Sequence, residues 1–229
     1  VEMLDINLQD KEEIISALQK VKPDEIYNLG DQSSVQASFY SPADAAKYSG
    51  FNALLLLESV KETDPSIRFY QASSSEMFGA SKISPQNEQT PFQPISPYGA
   101  SKLTAHLGVG NFRNAYGLHA SAGIMFNHES PMRSLEFVTR KITYTLANIS
   151  CGVETVLSLG NIDARRDWGY AGDYVEAMWA ILQQDEPGDY VIATGKSNSV
   201  KSFTSKAAAL LGYDIIWEGE AHEACGYDK

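Results

Sequence analysis

Tyr98 and Lys102 lie four residues apart in the stretch Ser96-Pro97-Tyr98-Gly99-Ala100-Ser101-Lys102. Ser96 is a good helix cap, and Pro97 suits a first helical position, where a missing N–H costs nothing. A helix that starts there puts both side chains on one face. A free phenol has a pKa of about 10 and is a poor base at neutral pH. An ammonium beside it favours the phenolate, so the spacing predicts a lowered pKa for Tyr98. Its oxygen could then take a proton from a substrate hydroxyl while a hydride leaves the same carbon. The spacing alone is not diagnostic and needs company.

That company falls at the ends of apolar segments. The strand-like run Ile67–Ala72 leads straight into Ser73-Ser74-Ser75-Glu76, three hydroxyls and a carboxylate. Turn chemistry is the plainer account of those residues. Glu25–Leu29 reads as another strand and ends in the polar turn Gly30-Asp31-Gln32-Ser33-Ser34. His119–Met125 is a third, followed by Phe126-Asn127-His128-Glu129-Ser130-Pro131. In open parallel sheets, ligands bind outside such C-terminal strand ends. Five of the 18 basic residues (Arg133, Arg140, Lys141, Arg165 and Arg166) fall in one interval of an otherwise acidic chain. They suit a bound pyrophosphate, or else surface ion pairs with Glu129, Glu136, Asp163 and Asp167.

Other segments supply the frame. Val1–Ile6, Thr155–Leu159 and Asp189–Thr194 read as strands. Helices are expected over Lys11–Val21, Ala43–Glu62, Ser96–Tyr116, Phe137–Cys151, Gly172–Gln184 and Phe203–Leu211. The tail from Glu218 to Lys229 is polar and weakly patterned. Gly108 and Gly110 weaken the Tyr98 helix by about 1 kcal/mol each relative to alanine, so packing must hold it. Alternating strands and helices give an α/β fold with a mainly parallel sheet.

At 229 residues the chain can bury a real core as one domain, or as a domain with a small lobe. Its net charge of -11 argues against nucleic acid or an anionic membrane surface as a partner. No apolar run approaches the roughly 18 residues of a membrane span. Val1-Glu2-Met3-Leu4-Asp5 does not resemble a signal peptide, and a cytoplasmic location is expected. Cys151 and Cys225 lack ligand spacing and read as free thiols. The histidines, at 106, 119, 128 and 222, lack it too, so no catalytic metal is expected.

Taken in order, these segments resemble a known family. Tyr27-Asn28-Leu29-Gly30, Gln71-Ala72-Ser73-Ser74-Ser75-Glu76, Ser96-Pro97-Tyr98 with Lys102, and Phe126-Asn127-His128-Glu129-Ser130-Pro131 carry the first part of the resemblance. Val138-Thr139-Arg140-Lys141-Ile142-Thr143, Gly160-Asn161, Arg166-Asp167-Trp168-Gly169 and Asp189-Tyr190-Val191-Ile192-Ala193-Thr194-Gly195 continue it. Together they are similar to the GDP-mannose 4,6-dehydratases, extended short-chain dehydrogenases/reductases that act on nucleotide sugars.

The resemblance implies a Rossmann-type doubly wound parallel sheet with a smaller substrate lobe, the first strand and glycine-rich turn being absent from this chain. Residues 1–126 would form the dinucleotide-binding part with the Tyr98 helix. Residues 127–229 would be mostly a nucleotide-sugar lobe with returning Rossmann segments. The implied reaction is NADP-dependent dehydration of GDP-mannose to GDP-4-keto-6-deoxymannose. Tyr98 and Lys102 would act at the 4-hydroxyl, Ser74 would bond the 4-oxygen, and Glu76 would remove the C5 proton. The implied cofactor contacts are Asn7, Leu8, Leu29, Gly30, Gln32, Ser33, Lys102, His128 and Arg133. Those to substrate are Asn127, Lys141 and Arg166, with Arg166 on the diphosphate. A homodimer or homotetramer is implied, in which the Tyr98 helix commonly packs on a neighbour's. The alternatives are a related 4-keto-sugar reductase or epimerase, and a non-catalytic paralogue.

Overall fold

Asp10 opens the first helix by accepting hydrogen bonds from the amides of Glu12 and Glu13. The computed structural model describes residues 2–219 and 224–229. In chain order it begins with α1 (Lys11–Val21), β1 (Glu25–Asn28), α2 (Val35–Tyr40) and α3 (Pro42–Ala45). A π-helical segment (Ala46–Phe51) runs directly into α4 (Asn52–Thr63). Then come β2 (Arg68–Ser74), a 3₁₀ turn (Ser75–Met77), α5 (Pro97–Tyr116), β3 (Ala120–Met125) and β4 (Asn127–Glu129). The remainder is α6 (Val138–Ser150), β5 (Arg165–Tyr170), α7 (Ala171–Leu182), β6 (Asp189–Ile192), β7 (Ser197–Ser199), α8 (Val200–Ala209), β8 (Ile215–Glu218) and β9 (Cys225–Asp228).

These elements divide into two units, Val1–Phe126 with Asp173–Ile192, and Asn127–Gly172 with Ala193–Lys229. The first holds a parallel sheet in the order β1-β2-β3-β6. Its central strand β2 is buried from Phe69 to Ser74, as a strand covered on both faces must be. Phe69 joins Ile14, Leu57, Val60 and Val109 on one face, so α1, α4 and α5 cover that side. Tyr70 joins Met125, Tyr174, Met178 and Leu182 on the other, under α7. Alternate side chains of one strand therefore fill two cores. Between β1 and β2, the Asn28 amide donates to Gln71 Oε1 at 2.8 Å, satisfying both groups in the interior.

The second unit pairs β4 with β5 in parallel and β5 with β7 antiparallel. α6 and α8 meet over Ile142, Leu146, Val200 and Ala208, with the Trp168 and Phe203 rings tilted against each other at 5.4 Å. β8 pairs antiparallel with β9, which lies in the polar tail after Glu218 where the pattern suggests no element.

Two expected strands are corrected. Residues 2–6 and 155–159 form none, because neither stretch meets a strand edge to pair with. Leu157 and Leu159 instead pack their side chains into the α6/α8 core. Val1 and His222 lie outside the described residues. The long helix read over 43–62 is real, but Ala46–Phe51 near its start is π-helical.

Candidate active site

Ser96 caps α5 by accepting from the Gly99 amide at 3.0 Å, and Pro97 occupies its first turn, as the sequence predicts. That start places Tyr98 and Lys102 on the buried face, at 8% and 4% exposure. Ser74 ends β2, and its hydroxyl accepts the Glu76 amide at 3.2 Å, turning the chain so that Glu76 leaves the strand half-buried. Gly99 lets helix and turn approach. A Cβ there would lie 2.6 Å from the Glu76 carbonyl oxygen and 3.2 Å from Pro94 Cβ. Ser74, Glu76, Tyr98 and Lys102 are thus gathered at the C-terminal end of β2.

The lysine does not act on the tyrosine as its spacing predicts. Its ammonium stands 5.8 Å from the Tyr98 ring centroid, donates to the Ala72 carbonyl at 2.7 Å, and pairs with the Asp31 carboxylate. The other Asp31 oxygen accepts from Ser49 on the π-helical segment. Burial pushes the Tyr98 phenol well above its ordinary value. The Asp31 and Glu76 charges push the same way, and a hydrogen bond with Ser74 opposes them. This corrects the predicted lowering. The first cause is burial of the phenol, and the next is the Asp31 carboxylate from a different turn, which also pairs with the cation. Asp31 and Ser49 are the residues that local reasoning missed, although Asp31 stood in plain view in the polar turn after β1.

Behind this group lies a second network. His106, one turn beyond Lys102 on α5, shares a hydrogen bond of 3.0 Å with Ser73 Oγ through Nδ1. Its Nε2 is 4.0 Å from Asp189, which Arg113 holds at 2.6 Å. Burial holds the His106 pKa below its usual value, more than Asp189 raises it. Ser73 is 3% exposed, so this arrangement fastens β2, α5 and β6 rather than presenting a nucleophile.

Beside the turn after β1 is a cleft of about 450 Å³, lined by Ile6, Asn7, Leu8, Gln9, Gly30, Asp31, Gln32, Tyr48 and Asn52. Four expected cofactor residues (Asn7, Leu8, Gly30 and Gln32) therefore line the same cleft, while Leu29 and Ser33 are exposed on the same turn. Gln32 Oε1 and Asn52 Oδ1 are buried there without a hydrogen-bond partner. A buried acceptor left unpaired is costly, and hydroxyl or amino donors of a nucleotide would satisfy it. The cleft fits such a group.

The remaining expected residues belong to the second unit. Asn127 and His128 lie on β4, opposite Trp168 and Gly169 of β5. Arg133 stacks 3.5 Å over the Phe137 ring and pairs with Glu129 at 3.4 Å, and Thr139 donates to the same carboxylate at 2.6 Å. Lys141 and Arg166 are exposed, and the Arg166 guanidinium donates to the Arg165 carbonyl at 2.8 Å. Among the described residues no His, Cys, Asp or Glu cluster could hold a metal ion, and no helix is long and apolar enough to cross a membrane. Cys151 and Cys225 are exposed free thiols.

Comparison with known proteins agrees with this architecture. The GDP-mannose 4,6-dehydratase from Sinorhizobium fredii (strain HH103) is 50% identical over 224 residues, covering 97% of this chain and 64% of that protein. The human GDP-mannose 4,6 dehydratase is likewise 50% identical over 225 residues, or 97% of this chain and 60% of that protein. The chain thus spans somewhat less than two thirds of the curated relatives it matches. The fold is similar to that of RMD from Pseudomonas aeruginosa complexed with NADPH, with a TM-score of 0.86 and 23% identity over 91% of this chain and 73% of that one. The family model for GDP-mannose 4,6 dehydratase matches residues 1–229, and the chain belongs to that family.

Proposed function

We propose that the protein dehydrates GDP-mannose to GDP-4-keto-6-deoxymannose, as an NADP-dependent hydro-lyase. The observation that carries this reading is the meeting of Ser74, Glu76, Tyr98 and Lys102 at one strand end, in a unit that also holds a nucleotide-sized cleft. NADP, when bound, would supply a hydride acceptor at the sugar C4 and a hydride donor at C6. Asn7, Leu8, Gly30, Gln32 and Asn52 would hold it in the cleft.

Tyr98 takes the proton of the 4-hydroxyl, and the Ser74 hydroxyl bonds the 4-oxygen as it becomes a carbonyl. That carbonyl acidifies the C5 proton, which Glu76 removes. The 6-hydroxyl departs as water. The two protons taken up by Tyr98 and Glu76 are accounted for by that water and by reprotonation of C5. Asn127, Lys141 and Arg166 are proposed to bind the nucleotide sugar, and His128 and Arg133 to contribute to cofactor binding. The same reading brings with it a cytoplasmic homodimer or homotetramer.

The test is incubation with GDP-mannose and NADP, followed by mass spectrometry. Loss of one water from the sugar nucleotide is expected, with deuterium placed at C4 recovered at C6. Unchanged substrate would sink the reading. A 4-epimer or a reduced sugar of unchanged C6 would replace it with an epimerase or reductase.

A further inference from the structure

The Lys102 and Asp31 side chains are only 5% and 8% exposed, so each charge is nearly removed from water. A cation so buried needs a counter-charge and hydrogen bonds to persist. The chain supplies both from separate elements, the carboxylate from the turn after β1 and a carbonyl from Ala72 of β2. Ser49, buried on the π-helical segment, donates to the second Asp31 oxygen and fixes the carboxylate's orientation. Close packing keeps that segment in reach, since a Cβ on Gly50 would come within 3.3 Å of the Ser101 carbonyl oxygen of α5.

We infer that Asp31 is a positioning residue for the catalytic pair: its carboxylate holds and neutralises Lys102, so the Tyr98 base works beside a screened ammonium. The inference rests on the reading of Tyr98 as the base. The charged groups around the Tyr98 hydroxyl are Asp31 from the β1 turn, which also hydrogen-bonds it, Glu76 from the 3₁₀ turn and Lys102 from its own helix, 5.8 Å from the ring centroid, with the Ser74 hydroxyl from β2. Two of those three charges are negative, and the positive one is paired. The phenol is held high by burial first and by Asp31 next, in keeping with that geometry. Turnover should therefore rise toward alkaline pH.

Ultraviolet titration of the tyrosinate band tests this in the whole chain, read as the difference between each variant and the same variant carrying Tyr98→Phe. In the natural chain the Tyr98 band is expected to stay absent at pH about 10, where an ordinary phenol is half ionised. Asp31→Asn should move it down by about one pH unit or more, while Asp31→Glu, which keeps the charge, should leave it high. The alkaline limb of the kcat profile should move with it. Circular dichroism checks folding, and Asp31→Ser, which keeps an oxygen for Lys102, serves if Asp31→Asn does not fold. An unmoved titration in a folded Asp31→Asn or Asp31→Ser chain, or an equal shift in Asp31→Glu, overturns the inference. The shift without turnover of GDP-mannose would leave it standing and remove the dehydratase reading; turnover with an unmoved limb would do the reverse.

Discussion

Replacing Gly99 by alanine should destabilise the protein, although alanine is the better helix former. Propensity alone favours alanine by about 1 kcal/mol in a helix interior, and by less in a first turn. Against that gain, the new Cβ would sit 2.6 Å from the Glu76 carbonyl oxygen and 3.2 Å from both Pro94 Cβ and Ser96 Oγ. The nearest obstacle is backbone and cannot rotate away, so α5 or the 3₁₀ turn must shift. Overpacking of this kind costs about 1–3 kcal/mol, which against a propensity gain of about 0.5 kcal/mol leaves a net loss of roughly 0.5–2.5 kcal/mol. The same helix provides the control. A Cβ on Gly110 meets nothing within 4 Å, so Gly110→Ala should stabilise by about 0.5–1 kcal/mol. Urea denaturation reads both variants, with opposite shifts in midpoint at constant slope. Because the joint separates Glu76 from Tyr98, a displacement near 1 Å should also cost Gly99→Ala about 10²-fold in turnover. A Gly99→Ala chain as stable as the natural one, or a Gly110→Ala chain equally damaged, would refute the reasoning.

Glu76→Gln should fold normally and lose about 10²- to 10⁴-fold in product formation by mass spectrometry, whereas an enzyme that removes no C5 proton would keep its rate. Asn28→Ala strips the donor from Gln71 Oε1 inside the sheet and should lower stability by about 1–3 kcal/mol in urea. His106 contributes an acid sensitivity. Its folded pKa is depressed by burial, so below about pH 6.5 the unfolded chain takes up a proton that the folded chain refuses. The contribution is complete above that pH and is lost as pH falls toward the folded value. Thermal melts from pH 7.5 to 5.5 should show the melting point falling, less steeply in His106→Gln; equal slopes would count against the argument.

Close packing also answers a question that α5 raised in the sequence. Gly108 lies against Leu54, whose Cδ2 would stand 2.2 Å from an added Cβ, so this glycine lets α4 and α5 of the same chain approach. Gly110 has no such neighbour. Two glycines that read alike in the sequence thus have different physical reasons, and only the second is a plain cost.

By itself, the sequence determined what local chemistry determines. Ser96 and Pro97 set the start of α5, and the four-residue spacing then puts Tyr98 and Lys102 on one face. The apolar run from Ile67 and the hydroxyls after it defined a buried strand ending in Ser74 and Glu76. The family segments named the chemistry those residues suit. Strands without strong alternation, such as Arg165–Tyr170 and the β8–β9 hairpin, exist because a neighbour offers an edge, and no local pattern announces that edge. The partner of Lys102 was equally hidden. Asp31 is 71 residues away in the chain, and only the parallel pairing of β1 beside β2 brings its carboxylate to the ammonium. Charge state at a buried site depends on which groups are excluded from water together, and that is decided by the tertiary structure.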